Sequence, residues 1–486
     1  MMLKFIHHHK KLLTLLLGIF VCLFLTFVNP LSLADDSRLT LGIASMMIVW
    51  WVTEALPLAV VALVPIVLFP VFGLMKLQEV TKFYADSIIF LFMGGFFIAI
   101  AIEKWNLHKR IALGIINFTG TNGNRIILGF ILATGFLSMW LSNTATTMMM
   151  FPIAMSVISV IANHNPDGKG LRNFSLVLML SIAYASNFAL GTIIGTPPNV
   201  AYANYISNKF NYTIGFLDWM LVFTPLTILL LLMLYWVMVK WMYPNRINDS
   251  TAGKAYIESE LKQLGKLTEP EKRVLLVFLF TVLLWITKDL INYYQRFLVL
   301  DDTIIAMAGA ISLFMIPAGN SKNRQESLLV WEDTHKMAWG ILLLFGGGLA
   351  LAKSLEDAQL MDQLGAYLAT YSTNHIFIMI LVVTTASVFL SEVMSNVAQV
   401  IVMAPVISSL AISLGLDPLL LGIPMTLGAS CASMLPMGTP PNAIVFASGH
   451  IRIKDMMKAG FVLNIICIIL ITLFCWLVQP MIMNLI

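Results

Sequence analysis

The sequence predicts an all-α polytopic membrane protein with about eleven transmembrane helices and two re-entrant hairpins, arranged as two inverted repeats of five spans. The first observation is composition: 59% of the residues are hydrophobic and 11% are charged, whereas soluble domains carry roughly 25% charged residues. The second is that apolar runs repeatedly reach the ~20 residues that a helix needs to cross a bilayer. The third is a polar phrase that is present twice inside such runs.

The spans follow the apolar runs in order. The first, 12–28, lies between a lysine-rich segment and Ser32-Leu33-Ala34, a pattern that also fits a cleavable secretory signal. We expect a retained helix, so that residues 1–38 form an N-terminal helix and loop. The other predicted spans are 39–56, 58–74, 87–103, 174–207, 214–241, 272–291, 303–318, 338–355, 418–449 and 458–484.

Two further apolar segments, 125–162 and 376–413, are each split by a polar Ser-Asn turn. This pattern predicts hairpins that enter and leave on the same side of the membrane. Two of the spans are interrupted by Gly-Thr-Pro-Pro, at 195–198 and 438–441. Proline lacks the amide hydrogen and clashes with the preceding helical turn, so each of these helices should open there.

The positive charges predict the orientation, because cytoplasmic loops carry an excess of Lys and Arg. With a cytoplasmic amino terminus in the plasma (inner) membrane, every basic cluster falls on the cytoplasmic side and the carboxyl terminus is external. The clusters are Lys4, Lys10, Lys11, Lys104, Lys109, Arg110, Lys169, Arg172, residues 240–273, Lys322, Arg324, Arg452, Lys454 and Lys458.

The duplicated phrase sets the repeat boundaries. Ser138 and Ser391, Ser142 and Ser395, and the prolines at 152 and 405 all stand 253 positions apart. We therefore predict a first repeat at 39–243, a cytoplasmic linker at 244–271 and a second repeat at 272–486. Because each repeat has an odd number of spans, the second must enter the membrane upside down, and inverted repeats with broken helices are typical of transporters.

The turns and breaks have a predictable chemistry. Irregular backbone at membrane depth must be buried in protein or line a cavity. Backbone carbonyls and Ser or Asn oxygens are hard, neutral ligands that suit Na⁺, whereas helix N-termini and hydroxyl or amide donors favour carboxylates. No Lys or Arg lies near either Ser-Asn turn, which predicts that bound Na⁺ supplies the positive charge.

Other polar and small residues have simpler explanations. The glycine runs at 94–95 and 346–348 are expected to allow close helix packing. Glu392, which stands in the second turn where the first has Met139, is expected to form a structural pair, with proton coupling as the alternative. Asn187 and Asn204 receive no role. Structural pairing or an interfacial position is expected for Glu54, Glu103, Lys288 and Lys353.

These motifs resemble those of the divalent anion:sodium symporter family over nearly the whole chain after the first span. The resemblance rests on the paired Ser-Asn tips and the paired Thr-Pro-Pro breaks. It implies a homodimer whose transport domain moves as an elevator. It also implies one Na⁺ site at Ser138, Ser142, Asn143 and Gly195, and another at Ser391, Met394, Asn396 and Gly438. The implied substrate-binding residues are Ser142, Asn143, Thr144, Thr196, Ser395, Asn396, Val397 and Thr439.

The two tips differ at one position that matters for substrate choice, because Val397 lacks the hydroxyl of Thr144. In addition, Gln399 and Val400 replace the Thr146-Thr147 pair of the first copy. We predict a Na⁺-coupled secondary importer of C4-dicarboxylates such as succinate, malate and fumarate. Citrate or another divalent anion, and Na⁺-independent exchange, remain alternatives on the same fold.

A channel is the alternative from another class, and the internal symmetry of one chain disfavours it because selectivity rings need oligomeric symmetry. We expect no enzyme activity, since the sequence contains neither a Walker A pattern nor a recognisable nucleophile–base pair. The expected partners are a small dicarboxylate anion, sodium ions, the lipid bilayer and a second copy of the chain, with no nucleic acid.

Overall fold

The computed structural model describes residues 2–30, 33–120, 122–164, 170–245, 247, 251–295, 297–319, 326–370 and 375–479. This part of the chain is helical, with no strand and one isolated bridge between Pro317 and Ser327. Of the sequence predictions, the charges Lys169, Lys322 and Arg324 and the end of the last span at 480–484 lie outside the described residues.

The helices in chain order are α1 Met2–Val28, α2 Asp35–Val52, α3 Leu58–Val61, α4 Val64–Val71, α5 Leu77–Lys82, α6 Ser87–Lys104, α7 Leu107–Thr119, α8 Gly123–Ser138, α9 Asn143–His164, α10 Leu171–Asn187, α11 Pro197–Phe210, α12 Phe216–Tyr235, α13 Thr251–Gln263, α14 Glu269–Tyr294, α15 Asp302–Met315, α16 Trp339–Asp357, α17 Leu360–Ala369, α18 Ile376–Leu390, α19 Asn396–Ser413, α20 Pro418–Ala429, α21 Pro440–Phe446 and α22 Ile453–Leu477. Short 3₁₀ turns cover Phe83–Ala85 and Trp331–Lys336, and a π-helical segment, Trp236–Met242, extends α12.

The predicted fold class is confirmed, since the described residues contain eight helices that are long and apolar enough to cross a membrane. The count of eleven spans stays a prediction, because several other apolar helices are shorter. One predicted span, 58–74, is instead two helices, α3 and α4. Pro65 lies in the first turn of α4, and because it has no amide hydrogen it starts a helix more readily than it continues one.

The 253-residue offset is present in the backbone as well as in the sequence. Asn106 and Gln359 both adopt left-handed conformations, with φ of 58° and 54°. Each makes a sharp turn directly before an additional helix, α7 in the first half and α17 in the second. The sequence analysis predicted neither helix, because neither is long or apolar enough to be a span.

The expectation that the glycine runs allow close packing is confirmed. A Cβ atom on Gly94 of α6 would lie 2.7 Å from the backbone carbon of Ala306 in α15. Gly347 of α16, the equivalent position 253 residues later, contacts the backbone of Ala62 between α3 and α4 in the same way. In each half, a long helix thus packs backbone to backbone on a helix of the other half.

Most of the charged residues that were expected to pair do so. Lys288 pairs with Asp302 at 2.8 Å, Lys336 with Glu103 at 2.9 Å, and Lys353 with Asp357 at 2.9 Å. Glu54 lies exposed in the turn after α2 with φ of 49°. The three ion pairs are structural contacts.

Candidate functional site

The two polar phrases form the tips of helical hairpins. In hairpin 1, α8 and α9 are joined by residues 139–142, and in hairpin 2, α18 and α19 are joined by 391–395. The Ser142 hydroxyl accepts the amide hydrogen of Ala145 at 3.2 Å, which caps the first turn of α9. Ser395 occupies the N-cap position of α19. Each hairpin therefore returns by starting a new helix at an asparagine.

The Gly-Thr-Pro-Pro runs mark where a broken helix restarts. Break 1 is the non-helical segment 188–196 between α10 and α11, and break 2 is 430–439 between α20 and α21. Thr196 and Thr439 are the N-cap residues, in extended conformation, and proline follows each. Proline is favoured at the first helical position, where its missing amide hydrogen costs no hydrogen bond. The breaks are longer than the prolines alone predicted, because α10 and α20 end well before them.

The predicted substrate-binding residues are therefore grouped at the starts of four helices. Ser142 and Ser395 precede α9 and α19, and Thr196 and Thr439 precede α11 and α21. Hairpins and breaks pack crosswise, because α9 contacts α21 of the second half and α11 of the first half contacts α19. The residues predicted to bind substrate thus lie where helices of the two halves of the chain are in contact. These helix starts present amide hydrogens and partial positive charge to an anion.

A pair of equivalent hydrogen bonds connects the two breaks. The Asn187 amide at the end of α10 donates to the Thr439 hydroxyl at 3.2 Å, and the Ser430 hydroxyl after α20 donates to the Thr196 hydroxyl at 3.2 Å. Asn187 had no predicted role, and neither it nor Ser430 was expected at the site. Asn187 and Ser430 are 243 positions apart, the same spacing as Thr196 and Thr439, so comparison at this offset could have found them.

These contacts determine how the Thr439 hydroxyl can act. Its oxygen accepts from the Asn187 amide and, at 3.4 Å, from the amide hydrogen of Asn442. A hydroxyl has two acceptor positions and one hydrogen to donate. With both acceptor positions used, the remaining hydrogen is available to a carboxylate oxygen.

The first predicted Na⁺ site contains oxygens that suit a cation. Within the described residues, Ser138 Oγ and Asn143 Oδ1 are buried and have no hydrogen-bond partner. The Thr192 hydroxyl of break 1 donates to the Met139 carbonyl of tip 1 and holds these two segments together. Gly195 lies so close to the Ala189 carbonyl that a side chain would not fit. Buried neutral oxygens without partners are costly, and a bound cation would satisfy them.

The second predicted Na⁺ site has a similar set of oxygens. Ser391 is fully buried, and its hydroxyl donates to the Val388 carbonyl at 3.1 Å, which leaves the oxygen able to accept or to bind a cation. Asn396 Oδ1 is buried without a hydrogen-bond partner among the described residues. Met394 lies half-buried within tip 2, and buried Gly438 directly precedes Thr439.

The remaining predicted residues lie in the first turns of the returning helices. Thr144 and Val397 are both half-buried, at equivalent positions on α9 and α19. Gln399 does not extend this surface, because its amide nitrogen donates to the Ser387 hydroxyl at 2.7 Å, between the two arms of hairpin 2. The tips therefore differ most simply in the one hydroxyl that Val397 lacks.

The carboxylate of Glu392 behaves differently from the prediction of a structural pair. It is 4% exposed and accepts hydrogen bonds from the backbone of break 2 and from Asn464 on α22. Among the described residues, no Lys, Arg or His forms an ion pair with it.

Comparison with known proteins places these features in a family. A family model described as the sodium:sulfate symporter transmembrane region matches residues 8–485. A Staphylococcus saprophyticus protein named sodium-dependent dicarboxylate transporter SdcS is 40% identical over 479 residues, covering 97% of this chain and 92% of that protein. The protein of the same name from Staphylococcus aureus strain USA300 is 39% identical over 481 residues, covering 98% and 92%.

Two solved structures share the fold at low sequence identity. MtrF of Neisseria gonorrhoeae superposes with a TM-score of 0.57 at 12% identity, covering 95% of this chain and 97% of that chain. The YdaH transporter of Alcanivorax borkumensis gives a TM-score of 0.55 at 14% identity, covering 82% and 86%. At this level of identity the comparison concerns the fold alone.

Proposed function

The chain belongs to the sodium:sulfate symporter family, whose members are membrane transporters and not enzymes, and on this basis we propose that it imports C4-dicarboxylates together with Na⁺. Succinate, malate and fumarate are the proposed substrates, and the inward Na⁺ gradient supplies the driving force. The name of the Staphylococcus relatives supports dicarboxylate and Na⁺ as the transported species. The observation that carries the proposal is the set of four helix starts, contributed by both repeats, at the two tips and the two breaks.

Na⁺ binds first in this proposal, at the neutral oxygens of each tip. The proposed ligands of one site are Ser138, Ser142, Asn143 and the Gly195 carbonyl, and those of the other are Ser391, the Met394 carbonyl, Asn396 and the Gly438 carbonyl. The partnerless oxygens of Ser138, Asn143 and Asn396 support this assignment. The two cations would place positive charge beside a substrate surface that has no Lys or Arg of its own.

The dicarboxylate then binds between the tips. One carboxylate would meet Ser142, Asn143 and Thr144, and the other would meet Ser395, Asn396 and Val397, with Thr196 and Thr439 at the breaks. The Thr439 hydroxyl, whose acceptor positions are already used, is suited to donate to a carboxylate. The N-termini of α9, α11 and α19 add amide donors and partial positive charge.

The grouping of the helices supports a proposed movement across the membrane. The site group, α8–α12 and α18–α22, contains both hairpins and both broken helices. The frame group, α1–α6 and α14–α16, contains the backbone-to-backbone contacts at Gly94 and Gly347. Helices α7 and α17, each beginning after a left-handed turn, connect the two groups. We propose that the site group moves as an elevator against the frame group, in a homodimer in the plasma membrane with a cytoplasmic amino terminus.

Uptake by purified protein in proteoliposomes tests the substrate assignment. Unlabelled malate and fumarate should compete strongly with labelled succinate in the presence of Na⁺, whereas citrate and sulfate should compete weakly. Stronger competition by citrate would make citrate the substrate instead. Preloading the vesicles with unlabelled succinate should accelerate labelled uptake, as in a carrier, and the absence of this effect would favour a channel.

A further inference from the structure

Glu392 is a buried carboxylate at the tip of hairpin 2, and hairpin 1 has Met139 at the equivalent position. In hairpin 1 the tip is held to its break by a neutral link, the hydrogen bond from the Thr192 hydroxyl to the Met139 carbonyl. In hairpin 2 a side chain that can carry a charge forms the link. The two tips therefore differ in electrostatics as well as in hydroxyl content.

Every hydrogen-bond partner of the Glu392 carboxyl group is an N–H donor. Oε1 accepts the amide hydrogens of Ser433 at 2.7 Å and Met434 at 2.9 Å, together with the side-chain amide of Asn464 at 2.7 Å. Oε2 accepts the amide hydrogen of Leu435 at 3.1 Å. Both oxygens act as acceptors, and all four donors are N–H groups, which is the pattern of a carboxylate.

This arrangement is suited to holding a negative charge inside the protein. Three consecutive backbone N–H groups that converge on one anion form a favourable nest of dipoles. Dipoles and amides carry no net charge, however, and among the described residues no cationic side chain contacts this carboxylate. A buried charge without a counter-ion is costly in a membrane protein, so a transported cation bound nearby would be stabilised strongly.

The second Na⁺ site lies beside this charge. Ser391 is the preceding residue, and a Cβ atom on Gly438 would lie 3.2 Å from Glu392 Oε2. The carboxyl group thus lies beside Gly438, and its hydrogen bonds to the backbone of 433–435 hold break 2 against tip 2. In the first site the link between tip and break is the neutral hydrogen bond from Thr192, and Met139 is uncharged.

We propose that Glu392 is a positioning residue that supplies a fixed negative charge to the second Na⁺ site, so that this site binds Na⁺ more tightly than the first and fills before it. The inference rests on the proposed function, since it assumes that Na⁺ binds at both tips. Glu392 itself need not touch the ion. It acts by holding the Gly438 carbonyl in place and by attracting the cation through the surrounding protein.

The test is Na⁺-dependent thermal stabilisation of the purified full-length protein without substrate, with choline keeping the ionic strength constant. In Glu392→Gln, which keeps the shape and removes the charge, the Na⁺ concentration for half-maximal stabilisation should rise about tenfold, because a charge interaction at short range in protein is lost. At saturating Na⁺, the KM for succinate should change little. Glu392→Asp keeps the charge and should restore Na⁺ dependence to within about threefold of the unaltered protein, a loss no larger than that of one hydrogen bond.

Asn464→Ala is the matched control, because it removes one hydrogen bond to the same oxygen without removing charge. The Na⁺ concentration for half-maximal stabilisation of this variant should change by about threefold at most, in line with the loss of one hydrogen bond. The inference is overturned if the Gln variant titrates like the unaltered protein, or if Asn464→Ala weakens Na⁺ binding as much as the Gln variant does. Should the Gln variant not fold, the Asp variant decides: retained Na⁺ dependence supports the inference, and a tenfold loss overturns it.

The same experiment separates this inference from the proposed function. An unaltered protein that shows neither Na⁺-dependent stabilisation nor Na⁺-dependent uptake would refute both. An unaltered protein that shows both, together with an unchanged Gln variant, would refute the role of Glu392 alone.

Discussion

At the scale of single residues, the site depends on which polar atoms have partners and which have none. Ser138 Oγ, Asn143 Oδ1 and Asn396 Oδ1 are buried and lack hydrogen bonds among the described residues, whereas the Thr439 hydroxyl has both acceptor positions filled. The first kind of atom suits a cation and the second suits an anion. Both kinds of atom lie at the tips and breaks, which supports the proposal that one surface binds Na⁺ and a carboxylate together.

The tip asparagines provide the first prediction. In Asn143→Ala and Asn396→Ala, each Na⁺ site loses a side-chain oxygen, and Na⁺-dependent succinate uptake should fall at least about tenfold in each, as expected when one ligand to a bound group is removed. Uptake is measured in proteoliposomes with equal amounts of inserted protein. Normal transport by both variants would mean that the assigned Na⁺ sites are wrong.

The difference between the tips provides a reciprocal prediction. Thr144→Val removes a donor to one carboxylate and should raise the KM for succinate about fivefold, whereas Val397→Thr adds a donor to the other and should lower it about threefold, both within the range of one hydrogen bond to a charged group. The two changes are nearly equal in volume and opposite in direction. If both variants shifted KM in the same direction, the hydroxyl difference would not set affinity.

At the scale of elements, the repeats are joined where small residues allow backbones to meet. Gly94 packs on Ala306, and Gly347 packs on Ala62.

The hairpins and breaks could be predicted from the sequence, because a Ser-Asn turn or a Thr-Pro-Pro run inside an apolar stretch has few explanations. The left-handed turns at Asn106 and Gln359 could not, since neither residue requires that conformation and tertiary packing imposes it. The hydrogen bond from Asn187 to Thr439 joins residues far apart in the chain, and the 243-residue offset identifies the residues but not the contact between them.

Neighbouring glycines of α6 test this packing. Gly94→Ala should lower the unfolding temperature, because the added methyl would meet the Ala306 backbone at 2.7 Å, and overpacking of this kind typically costs about 1–3 kcal/mol. Gly95→Ala is the control, since its added methyl would have its nearest neighbour at 3.7 Å. Thermal unfolding in detergent measures both. Equal unfolding temperatures for the two variants would show that α6 and α15 can move apart without loss of stability, which would contradict the prediction.

At the scale of the whole molecule, the account needs two groups of helices that move relative to each other. Lys209 at the end of α11 pairs with Glu356 of α16 at 2.5 Å, which joins the site group to the frame group. Arg172 of α10 pairs with Asp455 of α22 at 3.3 Å, and both belong to the site group. The first ion pair connects the two groups, and the second lies within the site group. Linking each pair covalently therefore tests whether transport requires the groups to move relative to each other.

Cysteine cross-linking applies this distinction. Lys209→Cys with Glu356→Cys, linked by a bifunctional thiol reagent, should abolish uptake because the site group can no longer move. Arg172→Cys with Asp455→Cys, linked in the same way, should leave uptake nearly intact. Three of the four native cysteines are buried, and the reagent is tested on the unaltered protein to measure their contribution. Full transport by the first cross-linked pair would contradict an elevator.

The most direct test of the central claim is the effect of replacing Na⁺ on succinate uptake. Purified protein in proteoliposomes takes up labelled succinate from a medium containing either Na⁺ or an equal concentration of choline. We expect uptake above background only with Na⁺, because the tips have no Lys or Arg to balance the charge of the substrate. Equal uptake in Na⁺ and choline would contradict it.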